Sequence, residues 1–406
     1  MVNPKPDLGG VTSRGVVLDL IRMRGPISRV QLADATGFTQ ATISNIVRQL
    51  TAEGLVLDSG AREYTGGKPR VMLRLDPRAR FAAGIQLGAD STTYVVIDMM
   101  GDVVGRVRAR GLRDDAPEQA VPLLTDRVVE LLETLDIPLA DVVGLGIAAP
   151  GPLDLEGGSI IGAPTMLQWR DFPLRADIEQ AIGLPTVLDN DATAAGVGEF
   201  WRGGTTDAAA HCTVYMGAGI GAGIIIGGSV YRGASGNTGE IGQMRAVGPD
   251  PAARVSVEDV AAPRAVAAAV RAAIGTGRVT AARLGETDDP FADFSAVAHA
   301  ATRGDALARE AIGASAEALA DAVLAVADIL DLDSIALAGP AFALAGPLYQ
   351  QAIQHRLAHD FGAGARHPVR VALSHHVVDA AAVGIATLVL QQQLAPRTLG
   401  VTAFSA

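Results

Sequence analysis

The chain has 406 residues, which at about 150 residues per domain predicts two or three domains. Apolar residues make up 49% and charged residues 19%, a balance that excludes a disordered chain. No apolar run reaches about 18 residues, and the start, MVNPKPDLGG, has no hydrophobic signal segment. We therefore expect a cytoplasmic protein without membrane contact. The single cysteine, Cys212, excludes an intrachain disulfide and a multi-cysteine metal site.

The net charge of −11 is unevenly distributed along the chain. Residues 1–76, here called the head, contain ten Lys or Arg and seven Asp or Glu, which gives +3. Residues 77–406, here called the body, carry −14. A basic head on an acidic body predicts that only the head contacts nucleic acid.

Three helices are predicted between residues 12 and 53 of the head. Thr12 caps the first, and Ser28 with Gln31 forms a capping box at the start of the second. Gly37 supplies a tight turn, and the third helix begins at Thr39. The apolar residues of the third helix follow the i, i+3, i+4, i+7 spacing of a helix packed on one side: Ile43, Ile46, Val47 and Leu50.

The opposite face of the third helix carries side chains suited to reading bases. Amides pair with adenine, a guanidinium with guanine, and an alanine methyl contacts thymine. The residues of this face are Gln40, Ala41, Ser44, Asn45 and Arg48. A helix, a glycine turn and a helix with this division of faces predict a helix-turn-helix.

Two strands follow, at residues 55–57 and 71–73, and they flank a basic hairpin. Its tip, GGKPR, places Lys68 and Arg70 where a wing lies along a phosphate backbone or enters a minor groove. The alternative is a small three-helix bundle for protein contact, with a merely solvated polar face.

The body repeats one pattern: a strand, a Gly-rich turn and a second strand. The turns are at residues 88–91 and 217–221. The repeat indicates two related lobes, each contributing a hairpin loop to a shared cleft. Glycine in these turns permits close approach of the backbone to a ligand. The alternative is that the glycines only allow tight hairpin turns.

Between the hairpins, the strand at 186–188 ends in Asp189, Asn190 and Asp191, and a helix opens directly after them. Polar groups at a strand end beside a helix start often line a ligand cleft. Asp191 can hydrogen-bond a substrate hydroxyl or take its proton. Asn190 and Asp191 can equally be helix caps.

At this point the body resembles the ROK family (repressor, open reading frame, kinase) over nearly all of residues 81–406. The matching stretches are GLGIAAPGPLD (144–154), DNDATAAGVGE (189–199), GAGIGAGIIIGGSVYRGASGNTGEIG (217–242) and LAGPAFA (337–343). The resemblance implies an α/β, actin-like two-lobed sugar-kinase fold behind a winged helix-turn-helix. It also implies a smaller lobe of about 77–190 plus the C-terminal helix, and a larger lobe of about 191–378.

The same resemblance implies sugar-binding residues. Asn190 and Asp191 match the family's Asn-Asp pair, whose Asp is the catalytic base in kinase members. Glu240 and Glu258 match two further sugar-contacting Glu residues, and Gln243 stands where the family has a His. A family Asn is replaced by Thr165, which leaves sugar selectivity open.

Two departures from the family pattern concern metal and phosphate. Three zinc-binding cysteines of the family fall on Pro249, Pro251 and Ser256, none of which can replace a thiolate, so we expect no structural zinc. The phosphate loops lack several kinase groups, because the chain has Gln86, Ser91, Ala218 and Pro340 at the matching positions. We therefore expect no phosphoryl transfer and no cofactor.

These observations predict a transcriptional regulator, most simply a repressor, that binds operator DNA and answers to a sugar or sugar phosphate. A single helix-turn-helix contacts few base pairs, so a homodimer or homotetramer on a palindrome is expected. Two alternatives stay open: an active ATP-dependent ROK sugar kinase with an added head, and a DNA-binding protein whose body serves only for dimerisation.

Overall fold

The head folds into three helices and a small sheet. The structure, a computed structural model, describes residues 12–63, 70–163, 165–201, 208–247, 254–285 and 289–394. The elements of the head are α1 (Ser13–Arg24), β1 (Ile27–Ser28), α2 (Arg29–Thr36), α3 (Gln40–Ala52), β2 (Val56–Glu63) and β3 (Arg70–Leu75). Their sheet has the order β1-β3-β2, with antiparallel pairs throughout. Three helices followed by a hairpin are the arrangement of a winged helix-turn-helix.

The local signals in the head sequence are confirmed. The Thr12 hydroxyl accepts a hydrogen bond from the Gly15 amide, which starts α1. Ser28 and Gln31 form both bonds of the capping box. Gly37 ends α2 with φ of 71°, a left-handed conformation that glycine adopts without steric cost.

The first lobe of the body is built on a five-stranded sheet with the order β10-β7-β4-β5-β6. Helices α4 and α5 contribute the apolar side chains that cover it. The elements are β4 (Phe81–Gln86), β5 (Ser91–Asp98), β6 (Val103–Arg110), α4 (Pro117–Thr134), β7 (Val142–Ala149), β8 (Leu153–Asp154), β9 (Ser159–Ile160), α5 (Leu174–Ile182) and β10 (Thr186–Asn190).

The second lobe is built on another five-stranded sheet, with the order β13-β12-β11-β16-β17, and Ala-rich helices pack against it. Its elements, in chain order, are α6 (Asp191–Trp201), β11 (Ala210–Met216), β12 (Ile220–Ile226), β13 (Ser229–Val230), β14 (Arg245–Ala246), β15 (Val255–Ser256), α7 (Val257–Ala261), α8 (Pro263–Gly275), α9 (Pro290–Thr302), α10 (Ala306–Leu330), β16 (Ser334–Ala338), α11 (Phe342–Asp360) and β17 (Arg370–Leu373). The last helix, α12 (Ala380–Leu394), returns to the first lobe and packs on the apolar side chains of β4 and β5.

The two sheets repeat one topology, which confirms the predicted duplication. In each, a first strand pairs antiparallel with the next strand in the chain and parallel with a strand that returns later. A last strand then pairs parallel with the returning strand: β10 with β7 in the first lobe, and β17 with β16 in the second. The two hairpin turns therefore occupy equivalent positions in the two lobes. The exact bounds of the head and of the lobes stay predictions.

Helices α6 and α12 lie between the lobes and pack closely on each other. Gly198 of α6 faces Gly384 of α12, where a β-carbon on Gly198 would lie 3.1 Å from the Gly384 Cα. The head rests beside this pair, because Met99 after β5 and Leu394 at the end of α12 pack into its apolar core. None of the helices in the described ranges has the length and apolar content needed to cross a membrane.

Candidate functional site

The head presents the predicted reading face of α3 to solvent. Gln40, Ala41, Asn45 and Arg48 are exposed, and Ser44 is half-buried. The apolar face of α3 is fully packed, so the helix holds its polar side outward. Arg70 begins β3 and is half-buried, whereas Lys68 lies outside the described residues.

A cleft of about 380 Å³ separates the two lobes, within the range of about 300–1,000 Å³ typical of small-molecule sites. Both Gly-rich turns line it. Four of the five predicted sugar residues also line it: Asn190, Asp191, Glu240 and Glu258. Thr165 lines the cleft as well.

Asn190 and Asp191 cap α6 and line the cleft at the same time. The Asn190 Oδ1 accepts hydrogen bonds from the amides of Ala192 (2.9 Å) and Thr193 (3.2 Å), which leaves its Nδ2 as the donor group. Burial, and then the nearby carboxyl groups of Glu240 and Glu258, raise the pKa of Asp191 to about 7. An acid with that pKa can exchange a proton with a ligand hydroxyl near neutral pH.

Glu258 is held rigidly at the second-lobe wall of the cleft. Its Oε1 accepts the Ile220 amide at 2.8 Å, and its Oε2 accepts the Gln243 Nε2 at 3.1 Å. Gln243 is therefore placed to orient Glu258, and it is absent from the cleft lining, so its predicted contact with the sugar stays a prediction. Loss of hydration in the cleft and the neighbouring Glu258 raise the pKa of Glu240.

Two further contacts fix the backbone on which these groups stand. Arg232 binds the Asp189 carboxylate through both terminal nitrogens, at 3.1 and 2.6 Å, and so fixes the end of β10. The Asn237 side chain accepts the Leu153 amide and donates to the Leu153 carbonyl, which ties the loop before Glu240 to the opposite lobe.

The side of the cleft where the sequence predicts altered phosphate loops contains a hydrogen bond between the two lobes. Gln86 Nε2 at the end of β4 donates to the hydroxyl of Tyr215 on β11, so the two lobes are joined by a hydrogen bond at the base of the cleft. The Gln86 Oε1 is buried and has no partner among the described residues. A carboxamide in this place does not fit a magnesium ion as a carboxylate would. Burial and the nearby Asp191 hold the pKa of Tyr215 well above its usual range.

The candidate zinc positions do not fit a metal. Ser256 caps α7 and accepts the Asp259 amide, while Gln243 is bonded to Glu258. Cys212 is buried in β11, and burial raises the pKa of its thiol to about 12. No cluster of three His, Cys, Asp or Glu suited to a metal occurs in the part of the chain that the structure describes. Pro249 and Pro251 lie outside that part.

Tyr215 and Arg108 are among the residues of the cleft lining that sequence reasoning missed. Arg108 lies on the edge strand β6 and donates to the Ser91 hydroxyl at 2.9 Å. A signal for it existed, because Arg106, Arg108 and Arg110 alternate along β6 and must share one face. Tyr215 lies two residues before Gly217, where the second glycine turn begins. A single aromatic residue in an apolar strand does not indicate a ligand site, so the sequence offered no reason to select it.

Comparison with known proteins decides the family. The model of the ROK family matches residues 82–392. The chain belongs to the ROK family. A curated ROK relative, the xylose repressor of Caldicellulosiruptor bescii, is 31% identical over 227 residues. That alignment covers 56% of this chain and 57% of the repressor, so the chain spans just over half of that relative's length.

Two solved ROK structures have the same fold. A ROK family transcriptional regulator described as a homologue of the E. coli MLC protein has a TM-score of 0.75 and 24% identity, over 94% of this chain and 96% of that one. A ROK glucokinase from Streptomyces griseus, in complex with glucose and AMPPNP, has a TM-score of 0.65 and 26% identity, over 76% of this chain and 98% of that one. The first likeness includes the head and supports the fold alone.

Proposed function

We propose that this chain is a DNA-binding transcriptional repressor whose kinase-like body binds a sugar without phosphorylating it. One observation carries the proposal: α3 has an exposed polar face whose side chains suit base reading, in the same chain as a cleft lined by Asn190 and Asp191. The name of the xylose repressor relative supports a sugar effector.

The contacts in the cleft favour binding over turnover. Asn190 Nδ2, Glu240 and Glu258 offer the mixture of donors and acceptors that polyol hydroxyls require. Phosphoryl transfer depends on positioned metal and cations around the phosphate. Neither Gln86, which is bonded to Tyr215, nor Pro340 can hold a metal ion or supply a cation there.

The head is proposed to act in pairs. One α3 helix reads only a few base pairs, so a homodimer on a palindromic operator supplies the needed specificity. The sugar would then change the relative placement of the two heads, through different affinities for the two arrangements.

An active sugar kinase is the second candidate. It is favoured by the pKa of Asp191, which at about 7 suits a general base, and by the likeness to the glucokinase. In that case, a sugar hydroxyl would lose its proton to Asp191 while the oxygen attacks the γ-phosphate of ATP and ADP leaves.

One experiment separates the two candidates. Duplexes bound by the full chain are selected from a random pool, and their affinity is measured without ligand and with D-xylose, D-glucose or D-glucose 6-phosphate. We expect at least one probe to change the affinity, and a coupled ADP assay to show no sugar-dependent turnover. ADP release that needs a sugar and disappears in Asp191→Asn would establish the kinase instead. No enriched duplex would refute the repressor.

A further inference from the structure

Helix α6 runs from the candidate sugar site to the head. Its first residue, Asp191, lines the cleft, and its last residue, Trp201, contacts α1 of the head. The helix has eleven residues and therefore spans roughly 15 Å. One rigid element thus has a binding group at one end and a head contact at the other.

The head contact is made by Arg22 of α1. The guanidinium carbon of Arg22 lies 3.7 Å from the centre of the Trp201 ring, and Nη1 donates to the Trp201 carbonyl at 3.0 Å. The Arg22 side chain is only 9% exposed and also pairs with Asp19 at 3.5 Å. A cation that is shielded from water and stacked on an indole is held more strongly than a surface pair.

The helix between these two ends has little freedom to bend. Gly223 of β12 allows the α6 backbone at Ala192 to approach, where a β-carbon on the glycine would lie 2.3 Å from the Ala192 carbonyl oxygen. Gly384 of α12 allows the same approach at Ala194. Close packing on both sides means that a displacement at the N-terminal end moves the helix as one body.

The space around Trp201 is less completely filled. A small cavity beside it is lined by residues of both parts of the chain: Leu18, Asp19, Arg22, Leu75, Met99, Trp201, Leu390 and Leu394. Apart from the ion pair of Asp19 and Arg22, the lining consists of apolar side chains of the head and the body and of the Trp201 ring. A shift of one or two ångströms, typical of switching helices, would move these apolar side chains past one another.

We propose that α6 transmits sugar binding to the head, with Arg22 and Trp201 as the positioning pair that couples the two. This inference rests on the proposed function, and it adds the path by which the sugar would regulate DNA binding. A sugar that draws Asn190 and Asp191 towards it shifts α6 along its axis. Trp201 then carries α1, and with it the reading face of α3.

The test measures the coupling factor, which is the ratio of DNA affinities with and without the sugar probe. It uses the full chain, a selected duplex and the same three probes. Arg22→Met keeps the apolar stem of the side chain and removes the cation. We expect its coupling factor to fall to near unity, with sugar affinity alone and DNA affinity alone within about threefold of wild type. The matched control is Arg24→Met on the same helix, where the arginine is exposed, and its coupling factor should not change.

A second readout does not need DNA. Trp169 and Trp201 are the only tryptophans in the chain, so Trp169→Phe leaves Trp201 as the reporter. The sugar that acts on wild type should shift the emission of Trp201, and adding Arg22→Met should remove most of that shift. Arg22→Lys keeps a cation over the ring and should restore part of the coupling.

The outcomes separate the route from the function. A wild-type protein that responds to none of the probes overturns the proposed function and this inference together. A wild-type response that Arg22→Met retains in full overturns the route alone. Should thermal melting show that Arg22→Met is unfolded, Arg22→Lys and the Trp201 emission decide: an unshifted emission at saturating sugar also overturns the route.

Discussion

Gly384 of α12 and Ala194 of α6 bring the backbones of two helices into direct contact. A β-carbon at position 384 would lie 1.7 Å from the Ala194 carbonyl oxygen, a distance that no pair of unbonded atoms tolerates. The absence of a side chain at Gly384 is therefore a condition for the packing between the lobes.

We predict that Gly384→Ala destabilises the protein by about 1–3 kcal/mol or more, because α6 and α12 must separate. The measurement is urea unfolding at equilibrium. The matched control is Gly313→Ala in α10, where a β-carbon meets nothing within 4 Å. That change should be neutral or stabilise by up to about 1 kcal/mol. Equal effects at the two positions would contradict the proposed contact.

A second prediction concerns pH and Asp191. Its pKa of about 7 in the folded state is above the value of roughly 3.9 expected when unfolded. The folded protein therefore binds the proton more tightly, and the resulting stability is complete below about pH 4 and lost as the pH rises through 7. Between pH 5 and 8, wild type should lose ~1–3 kcal/mol of unfolding free energy more than Asp191→Asn does.

Urea unfolding at both pH values, without sugar, checks this. Glu133→Gln, which removes an exposed carboxyl of α4, serves as the control and should follow wild type. Parallel pH curves for wild type and Asp191→Asn would show that the Asp191 carboxyl is hydrated in the cleft.

The sequence predicted those parts of the molecule that depend on near neighbours. Ser28 and Gln31 of the capping box are three positions apart, and the amphipathic pattern of α3 lies within one helix, so both were readable. The two glycine turns predicted the shared cleft because a repeated pattern implies a repeated lobe.

Contacts between distant segments were not readable. Gln86 and Tyr215 are 129 positions apart, and Arg22 and the Trp201 carbonyl are 179 apart. No periodicity links such residues, and only the packing of the lobes brings them together. The bond between Gln243 and Glu258 was unreadable for the same reason, because it depends on how α7 is placed, and the sugar contact of Gln243 stays a prediction.

A third prediction tests the reading face. Arg48→Ala and Gln40→Ala should each weaken binding to a selected duplex by roughly tenfold or more, and weaken binding to random DNA far less. Both side chains are exposed, so stability should change little. Arg303→Ala, an exposed arginine of the body, is the charge control in the same filter-binding or fluorescence titration. An equal loss on both kinds of DNA would place Arg48 on the phosphate backbone.

The fourth prediction is that the purified protein carries no stoichiometric zinc. The chain has one cysteine, and it is buried in β11 with a thiol that stays protonated. Ser256 is engaged in capping α7. Elemental analysis after dialysis should find zinc far below one ion per chain. One zinc per chain would require another set of ligands.

The head cannot be exchanged between proteins as an independent cassette. Met99 and Leu394 of the body complete its apolar core, and Trp201 receives Arg22. A hybrid sensor cut between residues 76 and 77 would leave Arg22 and Asp19 facing a foreign surface. If α6 couples the cleft to the head as proposed, such a hybrid should still bind the same DNA but lose its response to the new body's ligand, unless that body also carries an aromatic residue at the position of Trp201. A working hybrid therefore needs a matched contact surface between the head and the body, and choosing the cut site in the chain is not sufficient.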